Sequence, residues 1–214
     1  MNKIFVIGDM HGCLGKLKEL VNKIDIDKKN DTLVLIGDYI DRGESCREVV
    51  DYVIRLKDEF KNTICLLGNH EQMLMRYLDG VDEDLYLNNG GRMTLRSYGI
   101  LVSDDIQERK LKIPAEHRQF FESLLPYYET DNYIFVHAGL KPGLPLKEQE
   151  LEDLLWIRYE FIEAKDDFGK IVVFGHTPLF SPLINKNMIG IDTGAVYGGK
   201  LTCVELPEIK IYQA

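Results

Sequence analysis

Four of the five histidines in this 214-residue chain lie in short glycine-containing segments, and a fifth segment of this kind carries two aspartates. The segments are Gly8-Asp9-Met10-His11-Gly12, Gly37-Asp38-Tyr39-Ile40-Asp41-Arg42-Gly43, Gly68-Asn69-His70-Glu71, Val136-His137-Ala138-Gly139 and Gly175-His176-Thr177-Pro178. Each follows an apolar run that is typical of a buried strand. Because loops after neighbouring parallel strands meet at one edge of a sheet, we expect their ligand side chains to converge there.

The expected ligands suit two metal ions. Asp9 and His11 are two residues apart and can approach one ion from the same extended loop. Asp38 follows a different strand, and its two oxygens could bridge that ion to a second one. The second ion would take an amide oxygen and two imidazoles, from Asn69, His137 and His176. A mixed oxygen and nitrogen set favours manganese, iron or zinc over calcium, and two such ions roughly 3.5–4 Å apart clamp a phosphate and activate water.

His70 is a candidate for proton transfer. It directly follows Asn69, and Asp41 could orient it. An aspartate paired with a histidine fixes the imidazole tautomer, so that His70 could protonate a leaving alkoxide. The alternatives are that His70 is a third metal ligand or has only a structural role. Glu71 could support this loop or begin a helix.

Arginines near these segments could bind phosphate. Arg42 lies inside the second segment, and a guanidinium grips phosphate oxygens in pairs. Arg158 is a second candidate, and Arg92 and Arg96 are weaker ones. Taken singly, these aspartates, histidines and arginines are more typical of helix caps or turns, buried histidines and surface charges. The occurrence of five such segments in order favours a metal and phosphate site over these structural roles.

Strands and helices alternate in the first part of the chain. Apolar runs at 3–7, 32–36 and 63–67 predict strands, and helical spacing at 14–24, 45–58 and from residue 71 predicts helices between them. This order predicts a parallel α/β sheet. Residues 80–125 are expected to form a helical cap beside the site, with Pro114 beginning a helix to Leu125.

Four further strands are predicted at 133–136, 171–174, 188–191 and 201–204, with a hairpin turn at 197–200. Two strand-rich halves indicate two sheets packed together. Residues 1–214 are interpreted as one domain.

Composition narrows the class of protein. The chain is 45% hydrophobic with a net charge of −9, so that an extended nucleic acid is disfavoured as a partner. No apolar run approaches a membrane span, and the apolar run before the first segment is too short for the core of a signal peptide. We therefore expect a cytoplasmic monomer. Four widely spaced cysteines predict no disulfide, and Cys13 is interpreted as a packing residue.

The segments resemble those of the phosphoprotein phosphatase family, within the calcineurin-like metallophosphoesterases, and look most like its bacterial and phage branch, which includes lambda-type phosphatase. The resemblance implies an α/β fold of two mixed β-sheets sandwiched between helices. It implies Asp9, His11 and Asp38 at one metal, and Asp38, Asn69, His137 and His176 at the other. It further implies manganese-dependent attack by a metal-bridging hydroxide, with His70 and Asp41 as the acid pair and Arg42 and Arg158 on phosphate.

One position departs from the family pattern. Many members carry an arginine before Gly-Asn-His-Glu, whereas this chain has Leu67. We expect hydrolysis of phosphoserine or phosphothreonine, with phosphotyrosine as a further class. The alternative is a symmetrical dinucleoside tetraphosphatase, and Tyr39, Tyr86 and Tyr98 are candidates to stack on its bases. A binding scaffold and a nuclease are weaker hypotheses, because all ligands are present and the chain is acidic.

Overall fold

Short runs of β-branched and aromatic residues form the strands of this protein, as the sequence predicts. A computed structural model describes residues 2–214. In chain order the strands are β1 (Ile4–Ile7), β2 (Thr32–Leu35), β3 (Asn62–Cys65), β4 (Tyr127–Glu129), β5 (Tyr133–Val136), β6 (Ile171–Phe174), β7 (Leu183–Ile184), β8 (Met188–Gly190), β9 (Thr202–Leu206) and β10 (Lys210–Gln213). The strands β4, β7 and β10 were not predicted. Two of them are three residues long or shorter, and all three lie at sheet edges.

The strands form two mixed sheets of five, which confirms the predicted fold class. The first has the order β10-β9-β1-β2-β3, and the second has the order β4-β5-β6-β8-β7. Strand β1 is parallel to β2, which is parallel to β3. The predicted hairpin at 197–200 is wrong, because β8 and β9 belong to different sheets. Strand β9 instead pairs with β10 and β1, so residues 191–201 carry the chain from one sheet to the other.

Helices cover the outer faces of the sheets. They are α1 (Leu14–Lys23), α2 (Cys46–Glu59), α3 (Asn69–Leu78), α4 (Glu83–Tyr86), α5 (Arg92–Tyr98), α6 (Ile106–Lys112), α7 (Ala115–Glu122), α8 (Leu151–Trp156) and α9 (Tyr159–Ile162). A π-helical turn at Leu87–Gly91 joins α4 to α5. The cap is therefore helical, as predicted, although α7 ends three residues earlier than expected. Among the described residues, every helix is too short or too polar to span a bilayer.

Alternating side chains divide the core into layers. Buried residues that meet between the two sheets are Val6, Val34, Ile36, Phe135, Val173 and Ile189. Their neighbours along the same strands point the other way, so Phe5 packs under the helices of the first sheet and Ile134 under those of the second. The layers are therefore helix, sheet, sheet and helix, and both sheets bring their strand ends to one site.

Two glycines allow the sheets to approach each other at that site. A β-carbon at Gly8, after β1, would lie 2.7 Å from the carbonyl oxygen of Ile191, after β8. A β-carbon at Gly175, after β6, would lie 2.0 Å from Oδ1 of Asp9. Real side chains do not reach such distances, so glycine is required at both positions.

We predict that Gly175→Ala destabilises the protein by about 1–3 kcal/mol, as overpacking does, and displaces Asp9. Gly15→Ala is the control, because Gly15 is exposed in α1 with open space around its Cα and should gain up to about 1 kcal/mol. Urea unfolding of both variants measures the difference. Equal stabilities would show that the contact at Gly175 relaxes freely.

Candidate metal centre

The backbone of the site is strained at five non-glycine residues. His11, Asp38, Asp41, Arg42 and His176 have φ angles of 39°, 51°, 68°, 66° and 61°. This left-handed region is uncommon for such residues, and it persists where surrounding contacts hold it, often at functional sites. The glycines beside these residues permit the same sharp turns, so the segments expose side chains at the strand ends.

Glu71 holds the loop after β2. Its buried carboxylate accepts hydrogen bonds from the backbone N–H groups of Asp38 (3.0 Å), Tyr39 (2.8 Å) and Gly68 (3.1 Å). Burial, together with Asp38 and Asp41, raises the pKa of Glu71 well above its usual value. Glu71 thus both lies in the first turn of α3 and supports the loop, and the sequence had left these two roles as alternatives.

The first ligand cluster centres on His11 and Asp38. Nδ1 of His11 donates to the carbonyl oxygen of Ile40 at 2.8 Å, which leaves the lone pair of Nε2 directed into the site. That nitrogen lies 3.2 Å from Oδ2 of Asp38, and Nη1 of Arg42 contacts it. His70 approaches the same carboxylate oxygen, with Nε2 at 3.9 Å. A lone pair facing a carboxylate is repelled unless a cation lies between them.

The second cluster centres on Asn69. Nδ1 of His137 donates to the carbonyl oxygen of Ile36 at 2.9 Å, so its Nε2 points at Oδ1 of Asn69, 3.0 Å away. Nδ1 of His176 lies 3.1 Å from the same amide oxygen. Burial, followed by the charge of His137, lowers the pKa of His176 to about 2, and burial also lowers the pKa of His137. Neutral imidazoles are the form that binds metal.

Several buried atoms at these clusters have no hydrogen-bond partner in the described structure: Oδ1 of Asp9, Nε2 of His70 and Nε2 of His176. Burial, with the carboxylates of Asp192 and Asp38, raises the pKa of Asp9 well above its usual value. The pocket therefore gathers lone pairs and negative charge without enough cations to balance them. The donor set fits two divalent metal ions.

The structure brings His70 and Asp41 together. Nδ1 of His70 lies 2.6 Å from Oδ2 of Asp41, and both side chains are buried. The other oxygen of Asp41 accepts hydrogen bonds from Oη of Tyr86 (2.9 Å) and Oγ1 of Thr94 (2.5 Å). Thr94 Oγ1 in turn accepts from the N–H of Asp41 at 2.9 Å. The cap thus fixes the carboxylate that orients His70.

The prediction that Tyr39, Tyr86 and Tyr98 stack on bases is wrong. Their exposed fractions are 0%, 0% and 5%, so none offers a face to a ligand. Tyr86 instead supports Asp41, and Tyr39 donates to backbone carbonyls. The sequence does not show which of these tyrosine hydroxyls contacts Asp41, because that contact joins distant parts of the chain.

The arginines are placed differently from one another. Arg42 is half-buried at His11, and its guanidinium carbon lies 5.5 Å from the ring centroid of Tyr197. Arg158 is exposed, and its charge, after burial and His137, is among the causes that lower the pKa of His176. Arg96 lines a separate cavity with Glu44 and Glu48. Leu67 packs in the helix-side core, so a hydrophobic contact replaces the arginine of the family pattern.

Sequence reasoning missed Asp192. It follows β8 with Ile191 and precedes Gly194, the same order of strand, carboxylate and glycine that marks the other segments. Its buried carboxylate accepts a hydrogen bond from the N–H of Gly194 at 2.9 Å, and burial raises its pKa. The order of strand, carboxylate and glycine is therefore present in the sequence, but no histidine accompanies it, and the segment was not recognised as part of the site.

Ligand clusters at the strand ends of a double-sheet sandwich define a class of metal-dependent phosphoesterase. The family model for calcineurin-like phosphoesterases matches residues 2–205, and the chain belongs to that family. It is therefore a metal-dependent phosphatase.

Individual relatives carry different substrates in their names. The chain is 30% identical to the asymmetrical bis(5'-nucleosyl)-tetraphosphatase PrpE of Oceanobacillus iheyensis, over 96% of this chain and 89% of that protein. It is 28% identical to serine/threonine-protein phosphatase 1 of Salmonella typhimurium, over 95% and 91%. A solved structure of a candidate diadenosine tetraphosphatase has a TM-score of 0.75 at 22% identity and covers 100% of this chain and 93% of that one, which supports the fold.

We predict that Tyr86→Phe slows hydrolysis of phenyl phosphate about tenfold, because a hydrogen bond to a charged group is worth about 1.5–3 kcal/mol. Hydrolysis of p-nitrophenyl phosphate should change little, since its leaving group needs no proton. Tyr77→Phe is the matched control, because Tyr77 is buried against Tyr86 and its hydroxyl lacks a partner. Equal losses on both substrates would place Tyr86 outside the orientation of Asp41 and His70.

Metal binding should stabilise the fold. Mn²⁺ at about 100 times its Kd adds about 2.7 kcal/mol, which raises Tm by roughly 5–10 °C in a chain of this size. An acid whose folded pKa is raised, as at Asp9, makes the metal-free protein less stable as pH rises above about 4. The rise in Tm should therefore be larger at higher pH. Calorimetry of Asp38→Asn should show little rise, and an unchanged rise would exclude Asp38 as a ligand.

Proposed function

We propose that this phosphatase hydrolyses dinucleoside tetraphosphates, with the bond cleaved between unequal halves. The observation that carries the phosphatase activity is the His70–Asp41 pair, 2.6 Å apart at the first ligand cluster, which can serve more than one class of phosphate substrate. The name of the relative from Oceanobacillus iheyensis supports this substrate class. From the sequence alone, phosphoserine and phosphothreonine are the first expected substrates, and symmetrical cleavage of a dinucleotide is the alternative.

In this proposal the metal ligands keep the roles that the family resemblance implies. Asp9, His11 and Asp38 would hold one ion, and Asp38, Asn69, His137 and His176 the other. Manganese is our first choice, with iron or zinc as alternatives. When bound, the ions would supply positive charge for the phosphate and an activated water for the attack.

The residues of the chain would then perform two tasks. Arg42, which contacts His11, and Arg158, whose charge acts on His176, would bind phosphate oxygens. Asp41 would stabilise the protonated imidazole of His70, whose Nε2 faces the site without another partner, and His70 would give that proton to the leaving oxygen. Tyr86 and Thr94 would keep Asp41 in place during this transfer.

A phosphoprotein phosphatase is the second candidate. The name of the relative from Salmonella typhimurium supports it. The metal centre serves both reactions equally, because each one needs a clamped phosphate and an in-line water.

The manganese-loaded protein should be tested on P1,P4-diadenosine tetraphosphate and on a phosphoserine peptide at equal concentrations. Faster dinucleotide cleavage to ATP and AMP is the expected result. Two molecules of ADP would establish symmetrical cleavage instead. Faster phosphate release from the peptide would overturn the proposal and favour the second candidate.

His70→Asn should distinguish the leaving groups. A nucleotide phosphate leaves as a weak base, whereas serine leaves as a strongly basic alkoxide that needs a proton. We therefore expect a loss of about 100-fold or more with the phosphoserine peptide and a smaller loss with the dinucleotide, while metal content stays unchanged. Equal activity of His70→Asn and the parent protein on the peptide would exclude His70 as the acid.

A further inference from the structure

A groove of about 790 Å³ lies beside the metal centre, between the segments that follow β6 and β8 of the second sheet. Its wall begins at Pro178, two residues after His176, and includes Phe180, Pro182, Tyr197 and Lys200. The groove therefore continues directly from the last predicted metal ligand. The sequence segment that forms its other wall, residues 193–200, follows Asp192.

Two aromatic rings of the groove face solvent. Phe180 is 106% exposed and Tyr197 is 63% exposed. Large aromatic side chains left open together beside a site often mark a binding surface. Tyr197 also lies under the guanidinium of Arg42, at 5.5 Å from the ring centroid. The aromatic surface thus touches the residue that we assign to phosphate.

The charge of the groove differs from that of the rest of the surface. Lys200 is its charged lining residue, and none of the described residues that line it is acidic. Four other surface cavities are each lined by at least two carboxylates, in a chain whose net charge is −9. An acid-free apolar groove next to an arginine suits a ligand with a flat apolar part and a negative part.

The wall formed by residues 193–200 is held in place before any ligand arrives. Nζ of Lys16 donates to the carbonyl oxygens of Ala195, at 2.8 Å, and Gly199. Thr193 Oγ1 donates to the carbonyl oxygen of Lys200 at 2.6 Å. A β-carbon at Gly199 would lie 2.1 Å from the carbonyl oxygen of Thr193, so the turn is tightly closed. Such a wall loses little freedom when it binds a ligand.

We infer that this groove binds the nucleoside of the substrate, with its base against the exposed rings of Phe180 and Tyr197. The inference rests on the proposed function and deepens it. Because Tyr197 contacts Arg42, a base on these rings would lie next to the residue that we assign to phosphate. This placement fits cleavage next to the first phosphate of that nucleoside, which would release a nucleoside monophosphate.

Phe180→Ala and Tyr197→Leu should each raise KM for diadenosine tetraphosphate about tenfold, as expected for the loss of base stacking. Tyr197→Phe keeps the ring and should behave like the parent protein. Activity on p-nitrophenyl phosphate should stay unchanged in Phe180→Ala and Tyr197→Phe. Tyr159→Ala is the matched control, because Tyr159 is equally exposed, at 62%, beside Arg158. An effect of Tyr159→Ala in place of the groove variants would put the base on the other side and overturn the inference.

Binding without turnover separates this inference from the proposed function. Calorimetry on the manganese-loaded protein should show AMP binding about tenfold more tightly than ribose 5-phosphate, and Phe180→Ala should abolish that preference. Equal binding of the two ligands, or a preference that survives the groove variants, would overturn the inference. A protein that keeps the preference yet does not cleave the dinucleotide would refute only the proposed function. Weakened binding of a phosphoserine peptide alone would assign the groove to protein substrates and also overturn the inference.

Discussion

The buried carboxylate of Asp38 is the constraint on which the rest of the site depends. It lies within 3.4 Å of nitrogens on His11 and His137, and Oδ1 accepts the N–H of His70 at 3.2 Å. Its contacts therefore join the loops after β1, β2, β3 and β5, which come from both sheets. A lone carboxylate held this far from water is costly unless charge compensates it. Metal ions that fit among the surrounding neutral imidazoles would provide that compensation, so the same loops must both fold correctly and bind metal.

Strain and support are distributed around this carboxylate. Asp38 has a left-handed backbone conformation, with φ of 51°. Glu71, in α3, accepts a hydrogen bond from the backbone N–H of Asp38. Asp41, three residues later, is also left-handed, and Tyr86 and Thr94 hold its side chain from the cap. The outer helices thus do more than cover the core. They supply the hydrogen bonds that keep two unfavourable turns in place, which explains why the cap contacts the loop after β2.

The sequence predicted the sheets and the ligand segments because both depend on local order. Five segments follow five predicted strands, and alternation along β1 or β5 determines which residues face the second sheet. The support for Asp41 could not be predicted in this way, since Tyr86 and Thr94 are 45 and 53 residues away from it. Their contacts depend on how a cap with a π-helical turn folds back. The hairpin at 197–200 failed for a similar reason, because turn residues do not reveal that the chain changes sheets.

The metal centre and the substrate preference depend on different parts of the chain. A clamped phosphate and a positioned water suit a dinucleotide and a phosphoprotein alike, so ligand residues cannot separate the two classes. The groove residues 178–182 and 193–200 lie outside the ligand segments, yet they extend from His176 and Asp192 without a break. A change of side chain there alters what surrounds the phosphate without disturbing Asp38. Relatives with the same fold can therefore bear names of different substrates, and the nucleoside that we propose for this chain rests on the exposed ring of Tyr197 beside Arg42.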